Sequence, residues 1–554
     1  MLKLLSTLAL AIALLATSHG ARAERTELVI GVTQFPPTLN PALNASVAQS
    51  FVLGMARRPF TVFDQDWELV CLLCTGLPSF ENGLAVKEVL DDGTTGVAVT
   101  YSIHPDATWG DGTPVTTKDV VFTWQLGRQI EVGFIGQEGY ADILTIDAVD
   151  DKTFTLHINK LDYQYQSLNG YTLLPAHVEA AAAADPATYG NQTAYDRDPT
   201  NPGLWNGPYL ITEVVTGSSV VLEPNPYWWG ESAYFQRIAV RTIENTSALE
   251  ANLLSGAVDY VAGELGFSLD QAVVMQQRYS DRYDVTFKPG LQYEHIDVLL
   301  ENPILADLRV RQALLHAADR AGIVASLFDG QNIVANGFVH PLDPMHAQIL
   351  PTYDYDPDKA RSLLEQAGWT TVGADGIRRN DRGERLGIVL MTTAGNQVRE
   401  LVEQVLQQNW KQVGIEAVIQ NQPPRVLFGG TISHREYKGL ALFAWLSSPE
   451  NLPKSTLYST RIPTPENGWS GQNYTGYDNP EMDRLIDEAE IELDLDKRKE
   501  LWRRIQVLYA EDLPVLPLYF ASFPYVTPKW LTGIRPTGNQ FPSTLWVEQW
   551  RASD

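Results

Sequence analysis

The chain has 554 residues, with 67 Asp+Glu against 41 Lys+Arg and a formal net charge of −26. That acid excess argues against nucleic acid or an anionic membrane surface as a partner. The length exceeds the roughly 250–300 residues at which one hydrophobic core stops growing, so at least two lobes are expected.

Residues 1–23 read as a secretory signal peptide. Lys3 stands in a short leading region, an apolar run covers Leu4 to Ala16, and Ala21-Arg22-Ala23 is a small-x-small cleavage site. The run falls short of the roughly 20 residues that a membrane-spanning helix needs. No Cys stands at the cut, so no bacterial lipid anchor is expected and the mature chain begins at Glu24. Losing Lys3 and Arg22 leaves 39 basic against 67 acidic residues, a mature charge of −28. No later segment is apolar for long enough to span a bilayer, so an exported, soluble protein is expected.

The first half then reads as strands with turn punctuation. TELVIGVTQ is a strand that runs into FPPTLNP, a Pro-rich loop that cannot continue a ladder. Cys71 and Cys74, in VCLLCT, are the two cysteines of the sequence. Buried or loosely paired thiols, a local disulfide and a redox pair are the readings of such an exported CxxC. No second CxxC or close His pair completes a metal site. The flanking ELVCLLCTGL looks like a buried apolar strand or turn, and a strand points residues three apart to opposite faces. GVAVTYSIHP and TFTLHINK alternate as half-buried strands. GPYLITEVVTGSSVVLEPN is a hairpin turning at Gly217-Ser218.

The second half alternates helices with strands, which implies an α/β lobe. In YDPDKARSLLEQAGW, Asp356 caps, Pro357 takes the first helical position, Ala360, Leu363, Leu364 and Ala367 form the apolar face, and Gly368 stops the helix. NQVRELVEQVLQQNWKQVG repeats the logic, with Val398, Leu401, Val402, Val405 and Leu406 inward and Gly414 at the end. IEAVIQ returns as a strand. NPEMDRLIDEAE and DKRKELWRRIQVLYAEDL are two further amphipathic helices.

WGDGTPVTTKDVVFTW, Trp109 to Trp124, crowds Asp111 and Asp119 beside two tryptophans. Asp111-Gly112 is a turn dipeptide. Thr116 and Asp119 form a capping box, in which hydroxyl and carboxylate satisfy the free N–H groups of a helix start. Val120, Val121 and Trp124 follow as the inward face. These carboxylates need no chemistry to explain them.

The same residues, as HPDATWGDGTPVTTKDVVFTW, resemble the signature of family 5 extracellular solute-binding proteins, the oligopeptide-, dipeptide- and nickel-binding components of ABC importers. His104 stands where the family commonly has Lys or Arg. Five further segments resemble family segments in order: LNPA at 39–42, NGPYLITEV at 206–214, EPNPYWWG at 223–230, LADLRVRQALLHAADR at 305–320 and AEDLPVLPLYF at 510–520. The resemblance implies an α/β, two-lobe periplasmic-binding-protein fold of mixed sheets and helices, closing over a ligand. It divides the chain into the leader 1–23, lobe I at 24–65, an inserted subdomain at 66–204, more of lobe I at 205–291, lobe II at 292–516 and a return to lobe I at 517–554. The crossings are placed near Gln292–Glu301 and Asp512–Tyr519.

Two regions supply candidate ligand groups. One is the loop after the first strand, with Gln34, Phe35, Pro36 and Leu39. The other is FAWLSSPENLPK. In peptide-binding relatives a Trp followed shortly by Asp carries the site, and the Asp pairs with the ligand's α-amino group. Here Trp445 is followed by Ser447 and Ser448, with Glu450 nearby after Pro449. Serines accept a hydrogen bond from an ammonium but do not neutralise it, so weak binding of peptides with free α-amino groups is expected. Trp205 is a candidate floor for the cleft. Asn467, Trp469, Asn473 and Tyr474, in ENGWSGQNYTGY, form either a polar-aromatic binding wall or a tight surface loop.

No GxSxG elbow, HExxH, Walker loop or GxGxxG is present, and His340 and His346 sit in a Pro-rich HPLDPMH loop unsuited to a helical metal pair. The expectation is a non-enzymatic, monomeric, periplasmic substrate-binding protein without a cofactor. It would capture a peptide or peptide-like solute and deliver it to ABC permease subunits. The alternatives are an exported carboxylate-based hydrolase and a binding protein for nickel, haem or a sugar-like solute.

Overall fold

The computed structural model describes residues 25–553 apart from Glu244, Gly468 and Ser470. The leader expected at 1–23 and the start at Glu24 lie outside the described residues.

Two long strands organise the chain. Tyr283–Val298 and Val515–Pro528 pair antiparallel from Tyr283↔Pro528 to Asp297↔Val515. They sit in the middle of one eleven-stranded sheet. On one side, Tyr260–Val261, Glu27–Val32, Arg237–Thr242, Ser219–Pro224 and Tyr209–Val215 follow in order, and Ile333–Val334 pairs the second long strand off this path. On the other lie Leu440–Leu446, Gly387–Met391 and Glu416–Ile419. The sheet therefore belongs to both lobes, and the two long strands carry the chain between them.

The cores divide accordingly. One groups residues such as Ile30, Phe51, Trp109, Tyr209 and Val240. It includes the small antiparallel sheet of Ala85–Val89, Thr95–Ser102, Thr153–Ile158 and Ile143–Ala148, through Val97, Val99 and Leu156. Leu531, Val547 and Trp550, near the end of the chain, pack into that core. The other core groups Ile296, Leu314, Leu364, Leu390, Trp410, Leu442 and Leu518. Each fully buried Leu, Val or Ile contributes about 1.5–3 kcal/mol, so both lobes have a core of their own.

Local signals set the elements. Asp356 accepts from the Lys359 N–H to cap Pro357–Gln366, and Gly368 follows at φ 93°. Ala360, Leu363 and Leu364 are buried and Ala367 is half-buried. Gln397–Gln412 turns Val402, Leu406 and Trp410 inward, but Leu401 is 48% exposed. Leu401 was expected inside; the buried row is i, i+4, i+8 from Val402, and a residue one position before it rotates about 100° away. The capping box at Thr116 and Asp119 is present, with Val120 buried and Val121 and Trp124 half-buried.

Cys71 and Cys74 form a disulfide. The opposite-face argument for separate thiols fails because the strand Leu69–Cys71 ends at Cys71 and the chain bends before Cys74.

Candidate functional site

The long strand Tyr283–Val298 slips register against its partner between Pro289 and Gln292. Leu291, at the slip, donates its N–H to the Gly538 carbonyl at 2.8 Å. From there Leu291, Tyr293, His295 and Asp297 line one cavity of about 170 Å³. These are alternate residues of a strand, so they form a row running from the slip into the second lobe. Trp445, on the neighbouring strand Leu440–Leu446, stands opposite Tyr293. Phe338 and His340 come from a loop, Trp502 and Tyr509 from the helix Leu495–Asp512, and Phe520 from the second long strand. The Tyr293 and Tyr509 hydroxyls bond at 2.9 Å, tying strand to helix.

The wall is aromatic with a few polar groups whose capacity is unspent. His340 is buried, and its Nδ1 accepts from the Leu342 N–H at 3.0 Å. That bond assigns the proton of the neutral ring to Nε2, which has no protein partner. Burial, with repulsion from His346 and Lys288, pushes the His340 pKa down to about 4, so the ring is neutral at pH 7. Trp502 Nε1 is a second buried donor without a partner. Asp343 is occupied: it accepts from the Met345 N–H at 2.8 Å and the Glu450 N–H at 2.9 Å. Burial nevertheless raises its pKa above the ordinary value.

The lobes touch beside this cavity. Tyr163 donates its hydroxyl to the Glu450 carbonyl, and Gln164 Nε2 reaches the same oxygen at 3.3 Å. The Tyr163 N–H bonds the Glu490 carbonyl at 2.9 Å, and the Arg498 guanidinium lies 4.9 Å from the Tyr163 ring. Trp67 meets His340 edge to face at 5.1 Å. Glu450 takes a left-handed φ of 54° to make this turn. Its carboxylate is 4.0 Å from Arg498, and burial together with the Asp343 charge raises its pKa.

Of the residues proposed from sequence, Trp445, Ser447 and Ser448 line the cavity. Glu450 does not; it serves the lobe contact. Gln34 is exposed, and Phe35 packs half-buried on the first core, as Leu39 does fully buried. None of the three lines the cavity, because the loop folds back onto Asp196, which accepts the Leu39 N–H at 3.0 Å. Trp205 is corrected as a cleft floor: it is fully buried in the first core, with Nε1 donating to the Pro199 carbonyl. Asn473 is likewise fully buried and spends its amide on Tyr458, Tyr477 and Thr475. Asn467 bonds Thr464 and Ile462 within its own loop. Tyr474 packs behind the wall, 6.1 Å from Trp445. Asn467, Asn473 and Tyr474 thus hold the loop in place, while Gln472 and Thr475 of the same loop line the cavity.

Sequence reasoning missed His295, Asp297 and Trp502. A signal for the first two was present. Tyr-x-His-x-Asp puts three polar-edged side chains on one face of an apolar strand, where burial demands a reason for each.

A family model described as "Bacterial extracellular solute-binding proteins, family 5 Middle" matches residues 79–502. The oligopeptide-binding protein AppA of Bacillus subtilis is 24% identical over 534 residues, covering 94% of this chain and 90% of its own. The oligopeptide-binding protein from Thermus thermophilus, solved with a pentapeptide, is 30% identical, covers 95% of this chain and 96% of its own, and superposes with a TM-score of 0.75. NikA from Brucella suis, solved with Fe(III)-EDTA, superposes with a TM-score of 0.77 over 95% of this chain and 100% of its own; at 18% identity it bears on the fold alone.

Proposed function

The chain belongs to the bacterial extracellular solute-binding proteins of family 5, and from that premise we propose that it binds a peptide or peptide-like solute at the lobe junction and hands it to the permease subunits of an ABC importer. One observation carries the ligand class: an aromatic cavity at the junction of two touching lobes, lined by residues whose buried polar atoms His295 Nε2, His340 Nε2 and Trp502 Nε1 have no protein hydrogen-bond partner. A peptide offers both kinds of hydrogen-bonding group beside apolar side chains, and pockets of this make-up orient such ligands. The names of the Bacillus and Thermus relatives point the same way. The protein works as a monomer, exported to the periplasm by the leader at 1–23. It has no nucleic-acid partner and performs no chemistry on its cargo. The two carboxylates lining the cavity, Asp297 and Asp343, come from the same lobe, and Asp343 is committed to backbone N–H groups. That arrangement does not suit a hydrolytic pair.

Mass spectrometry of co-purifying molecules, followed by calorimetry with the peptides found, tests the reading. Micromolar or tighter binding, with compaction in small-angle scattering, is the expected result. Turnover of the bound molecule, or failure of every peptide to bind, would sink it.

A further inference from the structure

We propose that the groove between the helices Leu269–Tyr279 and Arg320–Phe328, behind the two long strands, is a stop that limits how far the lobes open and so sets ligand affinity from outside the binding cavity. The proposal rests on the reading that the lobes close over a solute, not on what that solute is. Side-chain alternation separates the two faces of the long strands. Tyr293, His295 and Asp297 line the cavity, as does Phe520. Their neighbours Ile296, Val298 and Tyr519 point the other way, into the second core with Leu269 and Phe328. The Phe328 ring lies 4.8 Å from that of Tyr519. Groove and cavity therefore lie on opposite faces of the strands that cross between the lobes.

The two walls of the groove belong to different lobes. Leu269–Tyr279 turns Ala272 and Met275 into a cluster with Leu249, Val261 and the half-buried Val29 of the first lobe. Gln271 Nε2 donates to Thr246 Oγ1 at 3.1 Å and fastens the helix to that lobe. Leu269 and Val273, one turn apart, face the second lobe instead. Ala325 and Ser326, both exposed, stand on the other wall, and the space between the walls is about 220 Å³. Lobes that turn about strands lying between cavity and groove part on one face and approach on the other. Opening the cavity therefore narrows the groove until its walls meet, and a groove filled in advance leaves less room to open. None of the groove residues lines the cavity, so filling it acts on the balance between open and closed arrangements and not on ligand contacts.

Ala325→Trp and Ser326→Trp fill the groove from exposed positions, so neither asks a packed core to make room. Arg278→Trp, the control, puts the same side chain on an exposed turn of Leu269–Tyr279 that does not line the groove. Circular dichroism melts confirm folding. Small-angle scattering of each ligand-free protein is compared with the curve calculated from the closed arrangement described above. It is run in the wild-type background and with Tyr163→Phe, which loosens the contact between the lobes. At least one groove variant should move the free protein towards the closed curve, and Arg278→Trp should not. No movement in either variant, movement towards a more open form, or the same movement in the control would overturn the proposal. A free protein already closed in both backgrounds would overturn it too, since no opening would be left to limit.

Calorimetry with pentaalanine adds a functional readout. The apparent affinity should rise by the factor by which the closed fraction of the free protein rises, about tenfold at most where a tenth of it is closed at the outset. Affinity that falls, or that stays level while the free protein contracts, would overturn the claim that the stop sets affinity. If pentaalanine does not bind at all, that result counts against the peptide reading and scattering alone decides the stop, which keeps the two failures apart.

Discussion

Tyr163→Phe isolates the hydrogen bond that joins the two lobes. The Tyr163 hydroxyl donates to the Glu450 carbonyl, while its ring sits beneath Arg498. Phe keeps the ring and the cation–π contact and deletes the donor. The carbonyl is not orphaned, because Gln164 Nε2 still reaches it at 3.3 Å. The loss is therefore the net value of one hydrogen bond, about 1 kcal/mol, without an added penalty for a stranded acceptor. That bond exists in the closed arrangement, so the closed-to-open ratio should fall about fivefold. The apparent affinity should weaken by up to the same factor, according to how much of the free protein is already closed. The melting temperature should change little, since each lobe keeps its own core. Small-angle scattering of free and ligand-saturated protein reads the equilibrium, and calorimetry reads the affinity. Saturating ligand should restore the wild-type radius. If variant and wild type share both the free radius and the affinity, Tyr163 is a bystander and the lobe contact is not part of closure.

Three other outcomes are expected. Asp119→Ala removes the acceptor of the Thr116 and Ala176 N–H groups and of Trp109 Nε1; unfolding in urea should show a loss of about 3 kcal/mol with ligand affinity unchanged, whereas lost affinity in a folded variant would refute the capping role. Opening the disulfide by joint Cys71→Ser and Cys74→Ser frees a loop with a sequence separation of 3, which should cost about 2 kcal/mol in urea and leave binding intact. His340 is held neutral by burial, with its pKa down from 6.5 to about 4, so the unfolded chain takes up the proton first. Its contribution is whole above pH 6.5 and is lost as pH falls through 6.5 towards 4, by about 3 kcal/mol. His340→Asn keeps an acceptor for the Leu342 N–H, and ligand-free urea melts at pH 7 and pH 4.5 should show the slope disappear.

Much of the fold was legible because local chemistry agreed with global packing. The Asp356–Pro357 start, the Gly368 stop and the turn near Gly217 each require particular backbone angles that few residues supply. The capping box at Thr116 and Asp119 resolved the acidic crowd beside two tryptophans without invoking catalysis. The site was less legible. Trp205 and Trp445 look alike as letters, and what separates them is that the first core closes over Trp205 while Trp445 faces a cavity, which the local sequence does not encode. Leu401 was lost to a one-residue error in the helical phase, and the choice of a local disulfide among the readings of the Cys pair needed the bend that follows Cys71. The acid sought after Trp445 is absent from that strand, while Asp297, on the strand hydrogen-bonded beside it, lines the same cavity. Pairing between segments about 150 residues apart cannot be read from either segment alone.

The end of the chain has a consequence for how the molecule is made. Thr544 bonds the Phe51 carbonyl across 493 residues, Trp67 bonds the Thr537 carbonyl across 470, and Trp550 is fully buried in the first core. During synthesis the first lobe therefore has no lid until the ribosome has nearly finished, and its apolar floor stays open while everything between is translated. Contacts of such sequence separation form late. Nascent first lobe is the stretch most in need of a holdase, and losing the final twenty or so residues would leave a wound in the half of the protein translated first.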